Sequence, residues 1–323
     1  MLRFGIIGTN FISDWFVSAC RRSGVAQPVA VYSRDAERGE AFATRHGLAH
    51  SVTSLQALIE RSDAIYVASP NLLHHEQSSR AIEAGRHVLC EKTLAATADQ
   101  ARDVFDRARR NRVVAMEATR SLYDPAWDAV RQRLALLGPI HQVRFDKQQY
   151  SSRYDRFLAG ERLNAFDPDL ANSAAADIGV YCLEPALDLF GTPRGATGSG
   201  VLLDNGFEGS GVLLLDYPGM TVTCSWSKIT TSRQPSSIHG ELGTLVIDSV
   251  SSPARISLEW RDGVREVVLD NPVPGEADNM VHEVREFAAL VESGTGDPRR
   301  EAVTIATRDL IDRYLAGLST PPH

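Results

Sequence analysis

Short apolar runs alternate with helical patterns through the first third of the chain. The apolar runs are continuous, which predicts strands covered on both faces: Leu2–Ile7, Val29–Tyr32, Ala64–Ala68, His87–Cys90 and Val113–Met116. The other segments carry apolar residues at helical spacing: Phe11–Arg22, Ala36–His46, Leu55–Arg61, His74–Ala84 and Thr97–Asn111. This alternation, with short connections, predicts an α/β domain built on a parallel, doubly wound sheet.

The pattern changes after Pro125. Helices are predicted at Ala126–Leu137 and Ala174–Phe190, and a long alternating segment covers Ile140–Tyr150. Strands separated by turn residues follow at Val201–Leu203, Gly211–Asp216, Thr221–Trp226, Thr244–Asp248, Ile256–Trp260 and Val264–Leu269. Two final helices are predicted at Glu276–Ser293 and Val303–Leu318. We therefore expect a second α/β domain with an open mixed or antiparallel sheet. The expected division is 1–120 and 121–323, with the final helices packing back on the first domain.

Composition narrows the functional classes. The net charge is −7 and no Lys/Arg block occurs, which disfavours nucleic acid as a partner. The four cysteines lie far apart without CxxC spacing, so we expect reduced, buried thiols and no metal site. The short apolar segment at the N-terminus does not fit a signal peptide, and no apolar run approaches the ~20 residues of a membrane span. The expected protein is soluble and cytoplasmic.

A glycine turn between the first strand and the first helix is the first candidate site. It reads Gly8-x-Asn10-x-x-Ser13 where the dinucleotide fingerprint of a Rossmann domain has three glycines. Asn tolerates positive φ and Ser is small, so both replacements are sterically mild. The helix N-terminus favours a pyrophosphate, with cofactor contacts predicted at Gly8, Thr9, Asn10, Phe11 and Ile12. The alternative is a plain strand–helix turn.

The end of the second strand indicates which dinucleotide is bound. Ser33 can hydrogen-bond a 2′-phosphate, and Arg34, with Arg38 beyond it, offers a multidentate donor. These residues favour NADP. NAD remains possible, because Asp35 could serve an unphosphorylated ribose and Arg34 could be a solvated loop residue.

Three segments, taken together, resemble the glucose–fructose oxidoreductase/inositol dehydrogenase (Gfo/Idh/MocA) family. They are Ser69–His74, Gly85–Leu94 and Ala176–Tyr181, which occur in family order. The resemblance implies a Rossmann domain followed by an α/β domain whose open sheet commonly makes homodimers or homotetramers. It also implies reversible hydride transfer between a nicotinamide and a small polyol, sugar, inositol or diol.

The resemblance also implies site residues. Further cofactor contacts fall on the ends of two parallel strands, at Ser69, Pro70, Asn71, His74, Glu91 and Lys92. Lys92 is the candidate proton donor and acceptor, since partial burial and a positive nicotinamide ring favour its neutral form. Asp177 and Tyr181, four residues apart on a predicted helix, are candidate catalytic and substrate-binding residues. Arg153 and Tyr154 are candidates to read substrate hydroxyls, although their segment could instead be an interface or a packed loop.

Three positions depart from the family pattern. Thr93 replaces the proline that usually follows the lysine, so the Lys92–Thr93 bond is either trans or a cis bond held by its surroundings. Residues Asn172–Ala175 replace a glycine-rich loop, and Asn10 replaces a fingerprint glycine. These departures leave open a second function, a catalytically silent NADP(H)-binding regulator.

Overall fold

A computed structural model describes residues 1–271 and 279–318, which form two compact units. Counting described residues only, the first unit contains residues 1–123 and 279–305, and the second contains residues 124–271 and 306–318. The fold of each unit follows from its own hydrophobic pattern.

The first unit is built on a six-stranded parallel sheet. Its strands are β1 (Leu2–Ile7), β2 (Ala26–Tyr32), β3 (His50–Val52), β4 (Ala64–Val67), β5 (His87–Glu91) and β6 (Ala115–Ala118), in the order β3-β2-β1-β4-β5-β6. The order reverses between β1 and β4, and ligands of open α/β sheets bind outside the carboxyl ends of the strands at such a point. The candidate site therefore lies at the carboxyl ends of β1, β4 and β5.

Helices cover both faces of this sheet, as the continuous apolar strands require. They are α1 (Phe11–Ser23), α2 (Ala36–His46), α3 (Leu55–Arg61), α4 (His74–Glu83), α5 (Ala98–Asn111) and α9 (Met280–Ser293), with part of α10 (Pro298–Ala316). One core lies under α1 and α9, where Phe4 and Phe287 pack with ring centroids 5.6 Å apart. A second core on the other face contains Ile65, Val88 and Phe105.

The second unit is built on an eight-stranded mixed sheet. Its strands are β7 (Ile140–Gln148), β8 (Gly195–Leu202), β9 (Glu208–Tyr217), β10 (Met220–Ser227), β11 (Ser236–Gly240), β12 (Gly243–Ile247), β13 (Arg255–Trp260) and β14 (Arg265–Asp270), in the order β14-β13-β12-β11-β7-β10-β9-β8. Only β7 and β10 pair in parallel among these strands, as the described residues have them. The helices of this unit are α6 (Pro125–Leu134), α7 (Tyr154–Leu158), α8 (Val180–Phe190) and the remainder of α10.

The predicted fold class is confirmed, and the element boundaries differ at identifiable places. The sequence missed β3, β11 and α7, and it began β8 six residues late, because these segments are short or rich in small polar residues. Residues Ala175–Gly179 of the predicted helix Ala174–Phe190 form a π-helical turn. The first residues of the predicted helix Glu276–Ser293 lie partly outside the described residues, and α9 begins at Met280. Across the described residues, no helix is long and apolar enough to cross a membrane.

Candidate active site

The glycine turn after β1 depends on Gly8 for two reasons. Its φ of 109° is one that L side chains rarely adopt, and a Cβ there would lie 2.6 Å from the carbonyl oxygen of Ala68. The turn leads into α1, whose first N–H groups have no acceptor within the helix. This is the position at which a pyrophosphate would meet a helix N-terminus, and the residues that lie there are Gly8, Thr9, Asn10, Phe11 and Ile12.

Asn10 does not use the positive φ expected of it. Its backbone is extended (φ −90°, ψ 177°), and its side chain caps α1 by accepting a hydrogen bond from the Ser13 amide at 3.1 Å. The side-chain Nδ2 of Asn10 also donates to Ala68 O at 2.9 Å. The reason offered for tolerating Asn10 is therefore wrong: the side chain caps the helix and joins the ends of β1 and β4.

The residues after β2 separate into two roles. Arg34 and Arg38 are exposed and Ser33 is half-buried. Asp35 caps α2, because its Oδ1 accepts a hydrogen bond from the Arg38 amide at 3.1 Å. One of the two carboxylate oxygens of Asp35, the candidate ribose ligand of an NAD site, is therefore already engaged on its own helix.

The segment after β4 contains Ser69, Pro70, Asn71 and the buried His74. The Ser69 hydroxyl donates to Gln77, and Asn71 begins a short 3₁₀ turn. Both ring nitrogens of His74 face carbonyl oxygens at 2.8 Å, those of Thr93 and Ser69. Burial lowers the pKa of His74, although the two carbonyls favour the protonated ring and oppose this shift.

We use the term lysine turn for residues 92–94, which follow β5. The Lys92–Thr93 peptide bond is cis, which decides between the two alternatives left by the sequence. His74 contacts the Thr93 carbonyl, and the buried carboxylate of Glu117 accepts the Leu94 amide at 2.6 Å. The Thr304 hydroxyl holds the other oxygen of Glu117 at 2.7 Å. The half-buried Lys92 is thus followed by a peptide, Thr93–Leu94, whose carbonyl and amide are both held by side chains.

Glu91 lies directly before the lysine turn and is buried. Its carboxylate accepts a hydrogen bond from the Tyr66 hydroxyl. Burial raises the pKa of Glu91, while Tyr66 and the positive charge of Lys92 oppose the shift. The structure therefore places the Glu91 carboxylate on Tyr66, within the sheet of the first unit.

In the second unit, Asp177 lies on the π-helical turn and Tyr181 on α8. The Val180 amide bonds to Ala175 O five residues back, so this turn is wider than the regular α-helical turn that the sequence predicts, and Asp177 and Tyr181 remain about one turn apart. Tyr181 is buried, whereas the Asp177 side chain is 35% exposed.

Polar side chains replace the expected glycine-rich loop before this turn. The Ser173 hydroxyl accepts the Ala176 amide at 3.0 Å, and Glu208 accepts the Ala175 amide at 2.7 Å. Glu208 is also bound by Trp226 Nε1 and by the Tyr314 hydroxyl, and burial raises the pKa of its carboxyl group. These contacts hold the start of the π-helical turn, and with it Asp177.

Lys228, which the sequence reasoning missed, contacts the candidate residue Asp177. Its ammonium lies 2.8 Å from Asp177 Oδ2, although Lys228 itself is buried. The sequence did contain an indication of this residue. The chain has only three lysines (Lys92, Lys147 and Lys228), and Lys228 follows a strand that buries alternate residues.

Arg153 and Tyr154 lie at the start of α7, and the structure gives them different surroundings. Arg153 is exposed. Tyr154 is half-buried in a cluster of rings, with centroids 5.4 Å from Tyr150 and 5.5 Å from Phe166. The Tyr154 ring therefore supports the packing around Phe166.

No group of three or more potential metal ligands occurs among the described residues.

Sequence comparison matches both parts of the chain to one family. Residues 2–119 match the NAD-binding Rossmann domain of the GFO/IDH/MocA oxidoreductase family, and residues 127–246 match that family's C-terminal domain. The scyllo-inositol 2-dehydrogenase (NADP(+)) of Bacillus subtilis is 40% identical over 90% of this chain and 89% of its own. The dTDP-3,4-didehydro-2,6-dideoxy-α-D-glucose 3-reductase of Streptomyces antibioticus is 30% identical over 98% of this chain and 96% of its own.

Solved structures agree with this assignment. A 3-ketoreductase from Actinomadura kijaniata, in complex with NADP and TDP-benzene, superposes with a TM-score of 0.84 and 26% identity over 98% of each chain. The match spans both units, each of which has the sheet expected of its domain. The chain therefore belongs to the Gfo/Idh/MocA family of nicotinamide-dependent oxidoreductases.

Proposed function

We propose that this protein is an NADP-dependent dehydrogenase or reductase acting on a CH–OH group of a small polyol, sugar, inositol or diol. One observation carries the proposal: the lysine turn presents Lys92 at the carboxyl end of a Rossmann strand, and its backbone is fixed by His74 and Glu117. A relative that is 40% identical is named as an NADP-dependent inositol dehydrogenase, which supports both the reaction and the cofactor.

The residues present fit NADP. Gly8 allows the positive φ of the turn and its close packing on the Ala68 carbonyl, and α1 presents its N-terminus to a pyrophosphate. Ser33 and the exposed Arg34 and Arg38 supply a hydroxyl and two guanidinium groups for a 2′-phosphate. One carboxylate oxygen of Asp35, the residue that could serve an unphosphorylated ribose, is engaged in capping α2.

In the proposed mechanism, Lys92 is the residue of the first unit that takes part in the chemical step. NADP, when bound, supplies the hydride acceptor or donor. Lys92 exchanges the proton of the reacting hydroxyl, which requires its neutral amine during oxidation and its ammonium during reduction. His74 and Glu117 do not touch the substrate in this scheme and act by holding the Thr93–Leu94 peptide that follows Lys92.

Substrate binding is assigned to the second unit. Asp177 accepts a hydrogen bond from a substrate hydroxyl, and Tyr181 donates one to the substrate oxygen. Arg153 is exposed and can contact a further hydroxyl, whereas the ring contacts of Tyr154 suit it to hold this segment in place.

We also propose a cytoplasmic homo-oligomer. Four free, buried cysteines fit a reducing compartment. The outer face of the second sheet exposes Val201, Val212 and Leu214, which a dimer or tetramer would cover. Light scattering of the purified protein measures the stoichiometry, and a monomer at micromolar concentration contradicts this part of the proposal.

The function is tested by fluorescence titration with NADPH and NADH, followed by turnover on inositols, sugars and diols. We expect tighter binding of NADPH, and Arg34→Ala should weaken it by about 10-fold or more while leaving NADH unchanged. Arg61→Ala is the control, because Arg61 ends α3 shortly before β4 begins and so lies at the amino ends of the parallel strands. Lys92→Ala should abolish turnover while NADPH still binds.

Two results contradict the proposal. Tight NADPH binding without turnover on a broad panel supports the silent regulator instead. Binding of neither nucleotide contradicts both functions.

A further inference from the structure

Lys228 carries a buried positive charge directly beneath Asp177. Its side chain is 4% exposed and lies after β10, where its backbone bonds to Gly209 O at 2.9 Å and accepts the Ser151 amide at 2.8 Å. A buried ammonium is costly unless it is paired and hydrogen-bonded, so its surroundings show which charge the fold places there.

The contacts of this ammonium are specific. Nζ lies 2.8 Å from Asp177 Oδ2 and donates to Ala165 O at 2.7 Å. The rings of Phe166 and Phe207 flank it, with centroids 4.9 and 5.2 Å away, as in cation–π pairs. Two aromatic rings, a backbone carbonyl and a carboxylate thus surround the three N–H donors of the ammonium.

The backbone of Asp177 is fixed independently. Glu208 holds the Ala175 amide, Ser173 holds the Ala176 amide, and Gly179 lies against Trp226. The π-helical turn therefore fixes the backbone of Asp177, and Lys228 fixes its carboxylate oxygen Oδ2. The Asp177 side chain is nonetheless 35% exposed, so part of it remains accessible to a ligand.

We propose that Lys228 is a positioning residue that makes Asp177 a fixed, negatively charged hydrogen-bond acceptor, and thereby selects substrates with a second hydroxyl besides the reacting one. The inference rests on the proposed function, because it deepens the role of Asp177 in substrate binding. An ammonium at this distance favours the ionised carboxylate. Hydrogen bonds to a charged, pre-oriented acceptor discriminate strongly against an analogue that lacks the hydroxyl, because the acceptor is then left unpaired.

The first experiment compares Lys228→Met with Lys147→Met, which makes the same change on neighbouring β7. For each variant, kcat and KM are measured on an accepted polyol and on its deoxy analogue lacking one non-reacting hydroxyl. We expect the wild type to prefer the polyol and Lys228→Met to lose on the order of 10- to 100-fold of that preference, mainly through KM. Lys147→Met should keep the preference. Lys228→Arg, which keeps the positive charge, should retain part of the preference for the polyol.

A second measurement does not depend on turnover. Urea unfolding of the wild type, Lys228→Met, Asp177→Asn and the double variant gives the coupling between the two side chains. We expect the two single changes to be non-additive, since either one leaves the other charge unpaired.

The outcomes separate the two claims. A wild type that turns over no substrate contradicts the proposed function, and the unfolding cycle then still tests the Lys228–Asp177 pair. Additive effects in that cycle overturn the inference. With an active wild type, a Lys228→Met variant that loses stability but keeps its preference for the polyol also overturns it, because Lys228 is then only structural.

Discussion

At the residue scale, the site depends on side chains that hold backbone. Thr93 follows Lys92, the candidate proton donor and acceptor. The lysine turn is held by Glu117 at the Leu94 amide and by His74 at the Thr93 carbonyl. Each holding residue is buried and comes from a neighbouring strand end or helix. Removing one should therefore affect both the stability of the unit and the placement of Lys92.

The first prediction concerns Glu117. Glu117→Ala strands the buried Leu94 amide, which costs about 1–3 kcal/mol of stability, and frees the backbone that presents Lys92. We expect kcat to fall by about 10-fold or more with little change in NADPH affinity, because the glycine turn is untouched. Thr304→Val is the control, since it removes the hydroxyl on the other oxygen of Glu117 and keeps the Leu94 contact. Unchanged kcat in Glu117→Ala would show that Glu117 does not position Lys92.

The second prediction concerns His74 and pH. Burial lowers its pKa in the folded protein, while the unfolded chain has the ordinary value of about 6.5. Between the lowered pKa and about 6.5 the unfolded chain binds more protons, so stability falls as pH decreases through this window. His74→Gln should reduce this slope of the unfolding free energy by up to about 1.4 kcal/mol per pH unit. Urea unfolding from pH 5 to 9 measures it, and above pH 8 the two curves should run parallel. A slope unchanged near pH 6 contradicts the prediction.

At the element scale, the π-helical turn determines where Asp177 lies. Val180 bonds five residues back, and the turn packs against β10 through Gly179. The backbone of Gly179 is helical (φ −60°, ψ −31°), so its conformation suits any residue. The space does not, because a Cβ there would lie 2.7 Å from the Trp226 ring. Glycine is required at this position by packing.

The third prediction follows from that contact. Gly179→Ala forces the turn away from Trp226, and overpacking of this kind costs about 1–3 kcal/mol. We expect a lower free energy of unfolding and a raised KM, because Asp177 moves with the turn. Gly195→Ala is the matched control, since a Cβ at Gly195 on β8 meets nothing within 4 Å. Equal stability of the two variants would mean that Trp226 yields without cost.

Sequence pattern predicted the elements whose environment is uniform. The strands of the first unit are buried on both faces, so β1, β4 and β5 were found to within one residue. The strand β8 was not, because its glycines allow close approach: a Cβ at Gly200 would overlap the Tyr314 hydroxyl, a contact distant in sequence. The ion pair of Lys228 with Asp177 likewise joins residues 51 apart, and no periodicity reports such a pairing. The cap at Asn10 was predictable, since Asn directly before the first residue of a helix is a preferred N-cap.

At the scale of the whole molecule, each unit is assembled from two separate stretches of chain. Helix α9 follows the second sheet in sequence but packs on α1 in the first unit. Met280, Val284 and Phe287 of this helix are fully buried. Thr304, also from the C-terminal stretch, completes the contacts of Glu117 beside the lysine turn. The N-terminal sequence therefore does not contain all of its own core or all of its own site.

The last prediction is that residues 1–123 do not fold stably alone. Each of the three buried α9 side chains contributes about 1.5–3 kcal/mol by burial, so their loss is on the order of 5–9 kcal/mol. This is comparable with the whole stability of a domain, about 5–15 kcal/mol, and it exposes Phe4 and Phe16 as an apolar patch. We expect the fragment to bind a hydrophobic dye and to lack a cooperative urea transition. The same fragment joined by a flexible linker to residues 279–305 should recover the transition, and Phe287→Ala in the full chain should lower the free energy of unfolding by about 3–5 kcal/mol. A fragment 1–123 that unfolds cooperatively at the midpoint of the full chain would show that α9 is dispensable to the Rossmann core.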